Sequence, residues 1–493
     1  MLIFGPLILN CYKMMLQKDK TDKIKIGLFG IGLETYWSQF DGLFDKLKSY
    51  QLKIKGHLLS SDAEVVDAGI VDNPDKAIEA AGLFIENRID IIFLNISTYA
   101  LSHNVLPLIQ RVNCPIIILN LQPSEAIDYS KFNSMGDRGK MTGEWLSYCQ
   151  SCVTPELASV FKKAGIKYHL ITGFLDEKYV WDEVHEWISA CNVMKIIKNS
   201  RVGVMGHYYN GMLDVYSDIT MFAAAFGCQF ELIEFGILKR LREDISASDI
   251  RLKLSKFRDW FNVSDECSGD ELEQAALSSV ALDRLAEKLR LGALAYYYEG
   301  EGDKESEKIV TTLIPGMTLL TGRNIPVAGE CEIKNVLAMK IMDSFSAGGS
   351  FSEFYGMDFN EDIILMGHDG PAHFKIAEGK VGLIPLPVFH GKPGKGLSIQ
   401  MKVANGPVTL LSVCQDSEGK ISLLAAHGYS VEGPTLQIGN TNSRYKFQLS
   451  AREFIDSWSK AGPSHHCAIG TGHISSRIKK LSELLNIGFE KIC

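Results

Sequence analysis

The chain has 493 residues, of which 46% are hydrophobic and 22% are charged, so it can bury a sizeable core and divide into roughly two to four domains. Its formal net charge of −8 excludes the basic surface that binds nucleic acid or an anionic membrane. We therefore expect a small-molecule partner. The eleven cysteines are scattered and odd in number, which predicts reduced thiols and a cytoplasmic protein.

The first 21 residues are predicted to be an N-terminal extension. The apolar run at residues 2–9 has no basic residue before it and is too short to cross a membrane. It is therefore predicted to be neither a signal peptide nor an anchor. Met14 or Met15 would serve equally well as the first residue.

Residues 22–197 alternate apolar runs with amphipathic stretches. The apolar runs at 23–30, 89–95 and 115–120 end near polar residues, and residues 37–50 have the pattern of a helix. This alternation predicts βαβ units and a parallel sheet covered by helices. We expect an N-terminal α/β domain over this range.

Glycines 27, 30 and 32 follow the first predicted strand but do not form a dinucleotide-binding fingerprint. Counting from Gly30, the sixth position is Thr35, where that fingerprint requires glycine. A tight turn between a strand and a helix explains the glycines, so no nucleotide cofactor is predicted.

A second α/β domain is predicted at residues 198–322. It has an apolar run at 201–207, a helical segment at 271–291 and a further apolar run at 292–298. The sequence therefore predicts two doubly wound parallel-sheet domains in the α/β class.

The last part of the chain, residues 323–493, is predicted to be rich in β-strands. From about Val381, short apolar runs alternate with Gly, Pro, Asn and Asp, which is typical of antiparallel strands and turns. The runs lie at 397–403, 408–413, 420–425 and 435–439. We expect an antiparallel, barrel-like domain or a sandwich, and this domain should carry metal ligands.

Two carboxylates and two histidines lie in short motifs marked by glycine, and together they can fill a divalent metal site. They are Glu299, Glu330, His368 and His466. Mixed carboxylate and imidazole ligands suit Mn²⁺, with Co²⁺ or another divalent ion such as Zn²⁺ as competitors. Glu299 follows an apolar strand, and ligands gather at the carboxyl ends of strands in open α/β sheets.

Other interpretations of these residues remain open. Glu299 is also explained as a solvated loop acid, and Glu330 with Glu332 as a surface pair. His373 competes with His368, and the residue before His466 is also a histidine, His465.

The motifs around these residues follow one another in an order that resembles the L-arabinose isomerase family, within the L-fucose isomerase superfamily. Ala328-Gly329-Glu330 matches that family's Ala-Gly-Glu, and Gly348 to Glu353 resembles its Gly-Gly-x-Ser-Phe-x-Glu run. The other matching motifs are Tyr298-Glu299, Gly367-His368, His390-Gly391 with Gly394 and Gly396, Asn405-Gly406-Pro407, and Trp458 followed by His465-His466.

The resemblance implies an aldose–ketose isomerase that works through a cis-enediol. Glu299 and Glu330 would act as the acid/base pair and, with His368 and His466, as ligands of Mn²⁺ or a similar ion. It also implies a homo-oligomer, a hexamer or a smaller ring, and a free sugar such as L-arabinose, a related pentose or a 6-deoxyhexose as substrate.

The chain departs from the family pattern at positions that concern the far end of the sugar. The segment Tyr296 to Gly300 lacks the acidic residue after the glutamate, and Asp369 stands where the family has methionine. Residues 149–153 lack the family's substrate-binding histidine. A sugar epimerase, an isomerase of another and possibly phosphorylated sugar, and a sugar-binding module are therefore the alternative functions.

Overall fold

The computed structural model of the chain describes residues 23–299, 302–386 and 396–493. The chain divides into two compact units, residues 1–192 and 193–493. The predicted N-terminal extension lies outside the described residues, and so does the part of the predicted glycine-rich motif at 390–394. The predicted boundary between residues 322 and 323 lies inside the second unit, and it stays a prediction.

The first unit is built on one parallel sheet. Its strands are β1 (Lys25–Ile31), β2 (Glu64–Val71), β3 (Ile91–Asn95), β4 (Ile116–Gln122) and β5 (His169–Phe174). Its helices are α1 (Leu43–Leu59), α2 (Pro74–Asn87), α3 (Leu106–Ile109), α4 (Tyr129–Asn133), α5 (Arg138–Leu146), α6 (Gln150–Lys163) and α7 (Lys178–Lys198), the last of which continues into the second unit. The strands lie in the order β2-β1-β3-β4-β5, and every neighbouring pair is parallel.

Burial explains the continuous apolar runs of this sheet. Every residue of β3 is buried, as are all but the first of β1, because strands covered on both faces have no solvent side to make polar. The helix α2 begins with Pro74, and the Asn73 side chain accepts a hydrogen bond from the Lys76 backbone N–H at 3.0 Å. The predicted parallel sheet is confirmed.

The second unit contains the remaining elements. Its strands are β6 (Arg201–Gly206), β7 (Gln229–Ile233), β8 (Phe261–Val263), β9 (Ala293–Tyr297), β10 (Val327–Ala328), β11 (Gly348–Asp358), β12 (Ile363–His368), β13 (Val381–Leu386), β14 (Gly396–Gln400), β15 (Gly406–Gln415), β16 (Ile421–Val431), β17 (Thr441–Phe447), β18 (His466–Thr471) and β19 (Gly488–Lys491). Its helices are α8 (Ile219–Phe226), α9 (Phe235–Glu243), α10 (Ala247–Trp260), α11 (Gly269–Leu289), α12 (Lys304–Val310), α13 (Ile314–Thr321), α14 (Ile333–Ser344), α15 (Ala451–Lys460) and α16 (Ser475–Leu485).

A second parallel sheet has the strand order β10-β9-β6-β7. The end of β6 approaches β9 so closely that only glycine fits at position 206. Gly206 has φ +93°, and a Cβ atom there would lie 1.9 Å from the Tyr297 carbonyl oxygen. This close approach brings the segments that follow β6 and β9 together at the carboxyl edge of the sheet.

The antiparallel part of the unit is a closed sheet of six strands. The order is β15-β18-β11-β12-β17-β16, and a further pairing between β15 and β16 closes the ring. The strand β19 adds to β16 in parallel. The predicted barrel-like domain is therefore confirmed at the level of a closed antiparallel sheet.

The composition of this closed sheet differs from the sequence-based expectation in two respects. Two of its strands, β11 and β12, precede Val381, whereas β13 and β14 form a separate three-stranded sheet with β8. The prediction of a strand at residues 435–439 is wrong. There the Asn442 side chain bonds both the backbone N–H and the carbonyl of Leu436 at 2.9 Å, and these groups do not enter a strand ladder.

Among the residues that the structure describes, no helix is both long enough and apolar enough to cross a membrane.

Candidate metal centre

Three of the four predicted ligands meet beside the middle of β11, where β12 ends and β18 begins. Glu330 follows β10 by two residues, His368 is the last residue of β12, and His466 is the first residue of β18. Their ligand atoms all lie within 4.8 Å of one another. The carboxyl edge of the parallel sheet thus supplies the carboxylate, and the closed sheet supplies both imidazoles.

The backbone at Glu330 adopts a conformation that side chains usually avoid. Glu330 has φ +56° and the next residue, Cys331, has φ +57°. Two consecutive non-glycine residues in the left-handed region cost roughly 1–3 kcal/mol each. Backbone hydrogen bonds hold the turn, from Cys331 N–H to Tyr296 at 3.0 Å and from Glu332 N–H to Gly329 at 3.0 Å. Strain of this kind is characteristic of functional sites.

His466 is buried between two carboxylates. Its Nδ1 lies 2.5 Å from Glu332 Oε2, and its Nε2 lies 3.3 Å from Glu330 Oε2. Burial raises the pKa of Glu332 to about 7 and lowers the pKa of His466 well below its ordinary value, so the imidazole is neutral at pH 7. The interpretation of Glu332 as a surface acid is wrong, because this residue is fully buried.

His368 approaches Glu330 from the other side. Its Nδ1 donates to the Asp369 carbonyl oxygen at 3.1 Å, and its Nε2 lies 3.9 Å from Glu330 Oε1. The buried Phe351 ring packs against both histidines, with centroid distances of 4.3 Å to His368 and 4.4 Å to His466. This ring limits the positions that the two imidazoles can take.

A second group of potential ligands contains Glu353, His465 and His466, whose ligand atoms also lie within 4.8 Å of one another. Asp214 Oδ2 accepts hydrogen bonds from the ring Nδ1 of His465 at 2.6 Å and from its backbone N–H at 3.0 Å. Burial tends to raise the pKa of Asp214, but these bonds outweigh it and leave the pKa below its ordinary value. The Nε2 atom of His465 lies 3.8 Å from Glu330 and 3.9 Å from Glu353.

All three histidines share one arrangement. Each places Nδ1 against an oxygen, that of Asp369, Glu332 or Asp214, and turns Nε2 towards the Glu330 carboxylate. In a neutral ring whose proton is on Nδ1, Nε2 carries a lone pair. Lone pairs that converge on a carboxylate repel it unless a cation lies between them. Metal-binding histidines commonly have Nδ1 held by an oxygen and Nε2 directed at the ion, so the residues fit a divalent ion.

Glu299, the fourth predicted ligand, belongs to neither group. It follows β9 by two residues, and its Oε1 accepts a hydrogen bond from the Tyr297 hydroxyl at 3.0 Å. Its role as a ligand and as an acid or base stays a prediction. His373, the alternative to His368, is buried with its Nε2 3.2 Å from Asp343 Oδ1, and it too lies outside both groups.

Sequence reasoning missed three residues of this centre. Glu353 ends the glycine-containing motif that begins at Gly348, but the motif does not mark it as a ligand. Its position at the centre follows from strand pairing, because Glu353 stands opposite both Gly367 and His466. The sequence offers Glu332 only as the second member of a possible surface pair. Nothing in the sequence around Asp214 distinguishes that residue from other loop acids.

No protein-family model and no curated protein sequence matches this chain. Among solved structures, it is similar to a periplasmic solute-binding protein of an ABC transporter from Actinobacillus succinogenes 130z, determined with bound D-allose. The two chains are 12% identical over 59% of this chain and 82% of that one, with a TM-score of 0.17. A likeness this weak carries no argument about fold or function.

Proposed function

We propose that this protein is a divalent-metal-dependent aldose–ketose isomerase that acts on a free sugar, L-arabinose or a related pentose or 6-deoxyhexose. One observation supports it most: three imidazole Nε2 atoms surround the Glu330 carboxylate, and an oxygen holds each ring through Nδ1. The choice of sugar isomerisation rests on the ordered motifs that resemble the L-arabinose isomerase family.

The reaction moves a proton between two adjacent carbons of the sugar. It requires a base for the carbon next to the carbonyl and an acid that returns the proton to the neighbouring carbon, by way of a cis-enediol. Glu330 is the proposed base, and Glu299 is its proposed partner. A bound divalent ion would supply Lewis-acid stabilisation of the charge that develops on the two sugar oxygens.

Neighbouring residues hold the side chains of this site in position. Glu330, His368 and His466 would hold the ion, with Mn²⁺ favoured and Co²⁺ as a competitor. The buried pair of Glu332 and His466 fixes one ring, and the tight turn at Glu330 and Cys331 fixes the carboxylate. The Tyr297 hydroxyl orients Glu299 at the end of the neighbouring strand.

A screen of free aldoses in D₂O with Mn²⁺ tests the proposal. We expect one pentose or 6-deoxyhexose to yield its ketose. As the equilibrium is approached, the aldose that re-forms should carry deuterium at C2. Formation of an epimeric aldose, or turnover of phosphorylated sugars alone, would support the alternative reactions instead. A panel with no product and no deuterium exchange would refute sugar isomerisation.

The variant Glu330→Gln tests whether the activity found in the screen depends on this site. It keeps the volume of the side chain but removes its charge and its capacity to accept a proton, so activity should fall by roughly 10²–10⁴-fold. Glu378→Gln is the matched control, because Glu378 is a surface acid paired with Lys402 at 3.1 Å. Equal activity in the two variants would contradict the role of Glu330.

A further inference from the structure

Two cysteine sulfurs meet at the start of helix α6 in the first unit. The motif Cys149-Gln150-Ser151-Cys152 lies between β4 and β5, which are neighbouring parallel strands of the sheet. The two Sγ atoms are 3.6 Å apart, which is van der Waals contact. Two cysteines separated by two residues, next to a βαβ pattern, are typical of thiol–disulfide chemistry.

The fold presents both sulfurs on the same side of the first helical turn. Cys149 is the N-cap of α6, and the Cys152 backbone N–H donates to the Cys149 carbonyl oxygen at 3.2 Å. A disulfide requires about 2.05 Å between the sulfurs, so they must approach by roughly 1.5 Å. Rotation of the two side chains supplies this movement without unwinding the helix.

Hydrogen bonds hold this turn to the loop that follows β3. The Thr98 hydroxyl donates to the Leu146 carbonyl oxygen at 2.7 Å, and the Gln150 side chain donates to the Ser97 carbonyl oxygen at 3.1 Å. Ser97, Thr98 and Gln150 are all buried. Two thiols held together in this way have a high effective concentration for each other, which favours an internal disulfide over a mixed disulfide with a small thiol.

The two thiols differ in their access to solvent, which assigns them different roles. Cys149 has no exposed surface and packs among the side chains of Leu43, Leu47 and Leu146, whereas Cys152 is exposed. Burial, followed by the hydrogen bond with Cys152, raises the pKa of Cys149 above its ordinary value, so this thiol keeps its proton at neutral pH. Packing in an apolar cluster explains Cys149, but it does not explain an exposed cysteine in contact with it.

We propose that Cys149 and Cys152 form a redox-active dithiol that is oxidised by a soluble disulfide. The Cys152 thiolate attacks one sulfur of that disulfide, the bond between its two sulfurs breaks, and one thiolate leaves and takes a proton from water. Cys149 then attacks the Cys152 sulfur, and the second thiolate leaves with the proton that Cys149 gives up. The two cysteines are thereby oxidised to a disulfide, and the soluble disulfide is reduced to two thiols.

The site lies within the first unit, so the inference is independent of the proposed isomerase reaction. The test is the state of one tryptic peptide, residues 141–162, which contains these two cysteines and no other. The full-length protein is incubated with oxidised glutathione, quenched in acid, alkylated after unfolding and analysed by mass spectrometry. We expect the peptide to lose two hydrogen atoms and both alkylation sites. Dithiothreitol added to the folded protein should restore them.

Two variants distinguish the attacking thiol from the resolving thiol. Cys149→Ala should accumulate glutathione on Cys152 as a lasting mixed disulfide, whereas Cys152→Ser should take up none, because Cys149 is buried. Cys114→Ala is the control and should form the internal disulfide as the wild type does, because Cys114 lies outside the motif. Circular dichroism checks that each variant folds. If Cys149→Ala does not fold, transient glutathione on Cys152 in the wild type is the equivalent measurement.

Three outcomes would overturn the inference. An unreactive wild type, or one that keeps glutathione on Cys152, would show that Cys149 does not resolve a mixed disulfide. A disulfide that forms only in urea would show that the folded chain does not hold the thiols in a reacting geometry. Glutathione on Cys149 in the Cys152→Ser variant would overturn the assignment of roles. All three leave the isomerase proposal intact.

Discussion

At the scale of single residues, Glu332 has the most unexpected position. It is a carboxylate with no exposed surface, and it is bonded to the ring that carries the deepest ligand atom of the centre. Burying such a charge costs several kcal/mol, which its contact with His466 alone offsets only in part. A cation on the far side of that imidazole would draw charge through the ring and favour the ionised carboxylate.

The variant Glu332→Gln should therefore separate metal affinity from folding. We expect the affinity for Mn²⁺ to fall by about 10–100-fold, because the ring loses its anionic support. The metal-free protein should be no less stable than the wild type, because a buried charge has been removed. Calorimetric titration with MnCl₂ and thermal melting measure the two effects. Unchanged affinity would show that the carboxylate does not support the ring.

Gly206 provides a residue-scale test of the architecture next to the site. Gly206→Ala would force a Cβ against the Tyr297 carbonyl oxygen, so we expect a loss of at least about 2 kcal/mol in the free energy of unfolding. Gly211→Ala is the control, since Gly211 has a similar φ of +87° but no heavy atom within 4 Å of the added Cβ. Its cost should be about 1 kcal/mol. Urea unfolding curves compare the two, and equal losses would contradict the steric argument.

At the scale of elements, the junction between β16 and α16 depends on a neutral histidine. His427, near the middle of β16, accepts a hydrogen bond at Nε2 from the Ser475 backbone N–H at the start of α16, 3.1 Å away. Burial, followed by the charges of Lys491 and His473, lowers the pKa of His427 to about 4. Protonation would remove the acceptor and place a positive charge at a helix N-terminus, where it is unfavourable.

This junction predicts a loss of stability in mild acid. The folded state binds a proton at His427 less readily than the unfolded state, whose histidine pKa is about 6.5. The stabilisation is therefore complete above pH 6.5 and declines as the pH falls towards 4. Melting temperatures across this range should fall more steeply in the wild type than in His427→Gln, which keeps an acceptor but cannot be protonated. Parallel curves would refute the assignment.

The secondary-structure elements differ in how far the sequence predicts them. The buried strands β1, β3, β4, β6 and β9 were predicted because their apolar runs are continuous. The antiparallel domain is predicted only as a class, barrel-like or a sandwich. Which strands pair to close it does not follow from the sequence, because the partners β11 and β18 lie far apart in the chain and no local pattern records their pairing. For the same reason three predicted ligands meet as expected, whereas Asp214 and Glu353, which only tertiary contacts bring to the centre, were missed.

At the scale of the whole molecule, the parallel sheet of the second unit has an edge strand, β7, with an exposed apolar residue. Leu232 on this strand is 73% exposed. Sheet edges are commonly covered by another segment or another chain. The homo-oligomer that the family resemblance implies, a hexamer or a smaller ring, stays a prediction, and one exposed leucine does not test it.

Sedimentation of the purified protein with and without Mn²⁺ tests the assembly. We expect a species larger than the 54.7 kDa chain over the concentrations at which the proposed activity is assayed. Activity measured in the same samples makes the result decisive. A monomer with full activity would contradict the prediction.

The position of His466 at the start of β18 also sets the order of events in the cell. Ribosomes make proteins from the N-terminus, so the segments that carry Glu330, Glu353 and His368 all emerge before this strand does. A nascent chain that ends before residue 465 has neither of the adjacent histidines at 465 and 466, and without β18 it cannot close the ring of six strands. Loading of the proposed ion would therefore be a late step of biogenesis, after synthesis of the second unit has passed β18.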